Sequence, residues 1–228
     1  MIDGMMQHNW VGDLLEAVGN INADMLLHQL AYDPKSPMIF SSGIFLWLFA
    51  GFIVVYAMLN RRDTARIAFV TLFSYYFYYK SSGVYFFLLA VVTCSDYFIG
   101  RSIYETRSKS GRKWLVTLSL LVDLSLLGYF KYTNFFGHIW ADLSGNVFHD
   151  MGIFLPVGIS FFSFQSLSYT IDIYRGKIKP LDRLLDYAFY VSFFPQLVAG
   201  PIVRASDFIP QIRKPLYVSR EMLGMGFW

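Results

Sequence analysis

Residues 151–204 read MGIFLPVGISFFSFQSLSYTIDIYRGKIKPLDRLLDYAFYVSFFPQLVAGPIVR, and the reading of the whole chain turns on them. The run 153–171 carries no charge and is long enough to cross a bilayer core of roughly 30 Å. It nevertheless holds Ser160, Ser163, Gln165, Ser166, Ser168 and Thr170, groups that lipid does not satisfy. At helical spacing Ser160, Ser163, Ser166 and Thr170 fall on one arc of about 120°, so this helix is expected to turn them towards protein or water. Asp172, Arg175 and Lys177 then mark a membrane boundary. A second apolar run, 188–203, is interrupted by Pro195, Gly200 and Pro201. Proline removes a backbone donor and stops a helix. Broken backbone at membrane depth persists only where protein or a water-filled cavity satisfies it. Two adjacent segments therefore predict a polar interior within a membrane protein.

Composition agrees. Of the 228 residues 55% are hydrophobic and only 15% charged, against about 25% charged in ordinary soluble domains. Mean hydropathy is +0.43. The 23 Phe, 16 Tyr and 5 Trp suit helices that meet lipid and its two interfaces. Cys94 is the single cysteine, which excludes an internal disulfide and a cysteine metal cluster; within its apolar run it reads as a small core residue. Zinc-finger spacing, phosphate-binding glycine loops, HExxH and GxSxG are absent, and nothing supports nucleic-acid binding.

Outward from the central stretch, residues 1–37 read as an N-terminal extension. Leu14, Leu15, Val18, Ile21, Met25 and Leu26 predict an amphipathic, interfacial helix over about 13–30, and Asp33-Pro34 and Ser36-Pro37 then break the chain. Residues 38–228 read as the N-terminal part of a membrane domain. Spans are predicted over 38–59, 67–79, 84–100 and 114–130, the second short enough to borrow flanking residues or let Lys80 snorkel. The fourth span is expected to exit at Lys131. The loops 60–66 and 101–113 and the segment 175–183 are basic, whereas the loop at Lys80 and the stretch 132–152 are not. The positive-inside rule therefore places the basic loops in the cytoplasm and 132–152 outside. Basic residues on both sides of 188–203 make that run re-entrant. The predicted fold is all-α and polytopic: transmembrane helices plus a re-entrant segment.

At this point the residues become recognisable. LPVGISFFSFQSLSYTIDIYRG (155–176) followed by YVSFFPQLVAGPIVR (190–204) closely resembles the membrane-bound O-acyltransferase family. The nearest branch is the bacterial one that O-acetylates exported polysaccharides of the alginate type. MIFSSGIFLWLF (38–49), FSYYFYY (73–79) and LGYFKYTNFF (127–136) are similar to that branch as well. The resemblance implies an inner-membrane, multi-pass enzyme that passes an acyl group, acetyl above all, from a cytoplasmic acyl-CoA such as acetyl-CoA towards polysaccharide hydroxyls. It implies no metal or tightly bound cofactor. The implied partners are membrane lipid, a periplasmic acyltransferase and the polysaccharide export machinery. The family's catalytic histidine is expected beyond Trp228, since 219–228 look like a helix just beginning and His8, His28, His138 and His149 do not fit the motif.

The candidate substrate or channel residues are Gln165, Asp172, Arg175, Gln196, Arg204 and Asp123. Each has a structural reading beside the functional one. Asp172 with Arg175 is equally a local i,i+3 pair. Arg204 suits a donor phosphate or a lipid headgroup. Asp96 and Asp123 are acids in or near spans; each either serves function or pairs with Lys131, Arg101 or a backbone donor. The serine stripe either lines a reaction channel or joins helices by hydrogen bonds. Alternative functions are D-alanylation of teichoic acid within the family, a transporter or scramblase, which would show inverted repeats not found here, and a non-catalytic membrane scaffold.

Overall fold

The computed structural model describes residues 30–59, 62–201, 203–214 and 224–225. The amphipathic helix expected over 13–30 lies almost wholly outside them. Among the described residues the chain is all helical, with no strand. The helices are α1 (Gly43–Met58), α2 (Asp63–Ser82), α3 (Phe86–Glu105), α4 (Lys109–Leu127), α5 (Thr133–Ser144), α6 (Ile159–Tyr174), α7 (Leu184–Ser192), α8 (Phe194–Ala199) and α9 (Ala205–Phe208). The stretches Asp63–Glu105 and Lys109–Ser144 are long and apolar enough to cross a membrane. The first folds as two helices because Gly83, at φ 59°, breaks it before a short 3₁₀ turn. Each of the two then has 20 residues, about 30 Å, one bilayer core.

The helix entered at Lys109 runs on past Lys131: a five-residue π turn, Gly128–Tyr132, carries it directly into α5 and on to Ser144. An inserted residue accommodated as a π turn keeps the helix going. One expectation is corrected: Lys80 is not at a loop tip. It is buried in the last turn of α2, where its ammonium donates to the Ala31 carbonyl. Residues 30–38 are stapled onto that end of α2: Tyr76 Oη donates to Leu30 O at 3.1 Å, Met38 N to Lys80 O at 3.1 Å, and Ser81 Oγ to Met38 O at 2.8 Å.

The bundle is organised by α6, which packs on α3 and α4, while α7 packs on α2 and α3. Its core includes Leu89, Val92, Phe162, Tyr169, Ile173, Tyr187, Tyr190 and Leu197, all buried. A second core is almost purely aromatic. Phe194, at the break between α7 and α8, enters between α1 and α2 with its ring centroid 5.2 Å from Phe73, 5.6 Å from Phe77 and 5.7 Å from Phe52.

The two ends of the bundle differ in charge. At one end Arg112 Nη2 donates to the Tyr174 carbonyl at 2.7 Å and Arg183 Nη1 to Thr64 Oγ1 at 3.3 Å, so the basic loops 101–113 and 175–183 and the start of α2 meet. At the other end Val157 N donates to Ser82 Oγ at 3.0 Å and Tyr85 stacks on Phe154 at 5.1 Å.

Candidate functional site

The polar arc of α6 is buried as its spacing predicts: Ser163, Gln165, Ser166 and Thr170 are inside, and Ser160 at the edge is 3.3 Å from Lys131 Nζ. The arc meets two different neighbours. Towards α3 and α4, Ser119 Oγ donates to Asp96 Oδ1 at 2.8 Å and lies 3.3 Å from Thr170 Oγ1. Ser166 and Asp123 are close neighbours of Asp96, and Tyr187 Oη donates to Ser166 Oγ at 3.1 Å. Asp96 and Asp123 are both 0% exposed. Of the alternatives open in the sequence, pairing with Arg101 or Lys131 does not occur: Arg101 bonds Glu105 at 2.9 Å on the surface, and Lys131 lies by Ser160 and over the Tyr132 ring. The acids face each other instead.

Towards the broken segment, side chains satisfy the interrupted backbone. Phe194 N, freed by the break at Phe193, donates to Ser74 Oγ at 3.3 Å. Ala205 N donates to Ser168 Oγ at 3.3 Å, Tyr190 Oη to Val203 O at 3.2 Å, and Gln196 Nε2 to Pro201 O at 3.0 Å. This is the physical condition for irregular backbone at membrane depth, met with serines, a tyrosine and a glutamine. The segment also approaches α6 through Gly158, its N-cap at φ 72°, where an added Cβ would stand 2.5 Å from Leu197 O.

The candidate residues separate accordingly. Gln165 is buried with Oε1 unpartnered, and Gln196 is buried with Oε1 likewise unpartnered. Asp172 is buried at the end of α6, but its ion-pair partner is Lys177 at 3.7 Å and not Arg175, which stands exposed at the helix C-cap. Arg204 is exposed at the N-cap of α9. Cys94 is exposed, not a core residue, because an apolar residue on a helix facing lipid looks the same in sequence as one facing the interior. His138 lies on α5, its Nε2 2.7 Å from Asp150 on the surface, far from the polar arc in kind and exposure. Among the described residues no group of acids, histidines or cysteines is arranged to hold a metal ion. Arg112, closing the C-terminus of α6, was not singled out in sequence; a basic residue near a helix C-terminus was the available signal.

A cavity of about 230 Å³ lies away from the polar arc, between α1, α2, α7 and α9, with Tyr56, Val70, Phe189 and Phe208 in its walls and Arg66 and Lys214 also lining it.

Fold and site define an all-helical membrane protein built around a broken segment whose backbone is satisfied internally by a polar helix. The sequence is similar to that of known proteins. The chain is 38% identical over 181 residues to the probable alginate O-acetylase AlgI of Pseudomonas aeruginosa, covering 76% of this chain and 34% of that protein. The corresponding figures for the probable alginate O-acetylase AlgI of Azotobacter vinelandii are 38% over 180 residues, 76% and 36%. A peptidoglycan O-acetyltransferase of Helicobacter pylori is 29% identical over 222 residues, covering 84% of this chain and 42% of that protein. These similarities bear out the resemblance to polysaccharide O-acetyltransferases of the membrane-bound O-acyltransferase type. The chain spans about a third of the length of the alginate O-acetylases. No established family profile and no solved structure matches it.

Proposed function

We propose that the protein carrying this chain is a polytopic inner-membrane O-acyltransferase that moves an acetyl group from acetyl-CoA towards hydroxyls of an exported polysaccharide. In the overall reaction the thioester C–S bond breaks, an ester C–O bond forms, and the hydroxyl proton is balanced by the released thiol. The observation that carries the reading is the similarity to proteins named as O-acetylases of alginate and peptidoglycan. The fold supports it: the motif segments 155–176 and 190–204 pack on one another through Ser168, Tyr190 and Ala205, and Gln165 and Gln196 keep unpartnered oxygens in that region. The basic end of the bundle is the cytoplasmic face, and the exposed Arg204 suits a donor that bears phosphates. A periplasmic acyltransferase and the export machinery complete transfer outside.

A chimera tests this. The matching segment of the Pseudomonas aeruginosa alginate O-acetylase is replaced by this chain's residues, and alginate acetylation is measured in cells. The expected result is retained acetylation. A chimera inserted at normal level that acetylates nothing overturns the reading.

A further inference from the structure

The carboxyl groups of Asp96 and Asp123 pose a bookkeeping question that the fold itself answers. Both side chains are fully buried, on α3 and α4, where these helices meet α6. They are close neighbours: Ser119, which donates to Asp96 Oδ1 at 2.8 Å, stands one helical turn before Asp123 on α4. Ser119 supplies a donor to Asp96 Oδ1, yet both oxygens of Asp123 and Oδ2 of Asp96 have no donor from the rest of the protein. The other titratable groups facing the pair are hydroxyls of Tyr187 on α7 and Tyr169 on α6: Tyr187 donates to Ser166, and Tyr169 Oη accepts from Leu181 N. Among the described residues no Lys, Arg or His forms an ion pair with either acid.

Two ionised carboxylates cannot occupy such a place together. Each loses its hydration, neither finds a counter-charge, and they repel at contact. Two ionised carboxylates also have no hydrogen to put between them, so the close approach would be a contact of lone pairs. One proton removes the mutual repulsion and supplies the missing hydrogen, because a protonated carboxyl is a donor and its neighbour an acceptor, and it leaves a single negative charge that the Ser119 hydroxyl helps to hold.

We propose that Asp96 and Asp123 form a proton-binding site that holds one proton between the two carboxyl groups and, through Ser119, Ser166 and Thr170, locks the polar arc of α6 onto α3 and α4. The ligand is a proton, and the orphaned oxygens of Asp123 mark where it sits. The site is separate from the acyl-transfer reading and stands whether or not that reading holds.

Infrared spectroscopy of the purified protein in lipid nanodiscs tests it directly. With aspartate labelled by ¹³C at the side-chain carboxyl, a protonated-carboxyl stretching band that persists at neutral pH and shifts with the label is expected. Asp123→Asn is expected to abolish the band while the protein keeps its thermal midpoint, because the amide supplies the donor that the proton supplied. Asp96→Asn is expected to do the same. A spectrum with no label-sensitive protonated band in the wild-type protein overturns the proposal without reference to any variant. So does a wild-type thermal midpoint that rises with Na⁺ or K⁺ and loses that response in Asp123→Asn, which would make the pair a metal-cation site.

Discussion

Gly158 and the carbonyl oxygen of Leu197 are in such close approach that the smallest side chain cannot be placed between them: a Cβ on Gly158 would lie 2.5 Å from that oxygen. The contact joins the N-terminus of α6 to α8, so it sets how deep the broken segment sits against the polar helix. Gly158 is constrained twice, by its φ of 72° and by the backbone atom opposite. The left-handed conformation alone costs a side chain about 1–2 kcal/mol. Gly158→Ala is therefore expected to destabilise the protein by more than ~2 kcal/mol, read as a fall in thermal midpoint in detergent. Asn tolerates the left-handed region but meets the same oxygen. Gly158→Asn is expected to be no better than Ala, and a recovery with Asn would show that φ alone matters.

Phe194 makes the complementary contact on the other side of the segment. Its ring sits among Phe40, Phe45, Phe49, Phe52, Phe73 and Phe77, with all six centroids between 5.2 and 6.3 Å away. Phe194 is 3% exposed, while its neighbour Phe193 is only half-buried. Truncating a buried Phe costs about 3–5 kcal/mol where the site does not collapse. Phe194→Ala is expected to fall in that range by thermal or denaturant unfolding, and Phe193→Ala to cost less than half as much. Equal losses would mean that the aromatic cluster does not hold the break.

Much of this was legible in the sequence because a bilayer leaves few choices. The uncharged runs located the helices, Pro195 and Gly200 located the break, and the spacing of Ser163, Ser166 and Thr170 identified the buried arc. What was not legible depended on which helices meet. Asp96 and Asp123 are 27 positions apart on different helices, and only the packing of α3 on α4 shows that they partner each other and not a cation. Cys94 was placed inside on hydrophobicity, which in a membrane protein does not distinguish lipid from core. That the helix runs on past Lys131 to Ser144 was not legible either, because a lysine at the edge of a helix can reach Ser160 Oγ without ending it.

The continuous helix through α4 and α5 sharpens the test of orientation. Ser110 and Ser144 are both exposed, near opposite ends of a 36-residue helix. At about 1.5 Å per residue they are separated by roughly 50 Å, well beyond a hydrocarbon core of roughly 30 Å. In a Cys94→Ser background, Ser144→Cys is expected to react with an impermeant thiol reagent in intact cells and Ser110→Cys only after lysis. The reverse pattern would place the basic loops outside.

The broken segment gives the last prediction, that residues 184–213 enter and leave the membrane on the same side. α7 has 9 residues and α8 has 6, so neither reaches across a bilayer alone, at about 14 and 9 Å. The path is fixed by contacts at three depths. It starts at the basic end, where Arg183 reaches Thr64. Leu197 then arrives beside Gly158, next to Val157, whose amide is bonded to Ser82 at the opposite end. It returns past Ser168 through Ala205 N, and Arg213 closes the loop with two bonds to Asp186, at 2.8 and 2.9 Å, back in the first turn of α7. Asp186 is buried, so its bidentate guanidinium partner is worth more than an exposed ion pair. Reporters fused after Lys179 and after Lys214 are expected to give the same, cytoplasmic signal. Arg213→Ala is expected to leave the first reporter unchanged and to loosen the second half of the loop, seen as faster proteolysis near 205–213 in inside-out vesicles. Reporters that land on opposite sides would mean that 184–213 spans, and the Asp186–Arg213 pair would then have to be absent in the membrane.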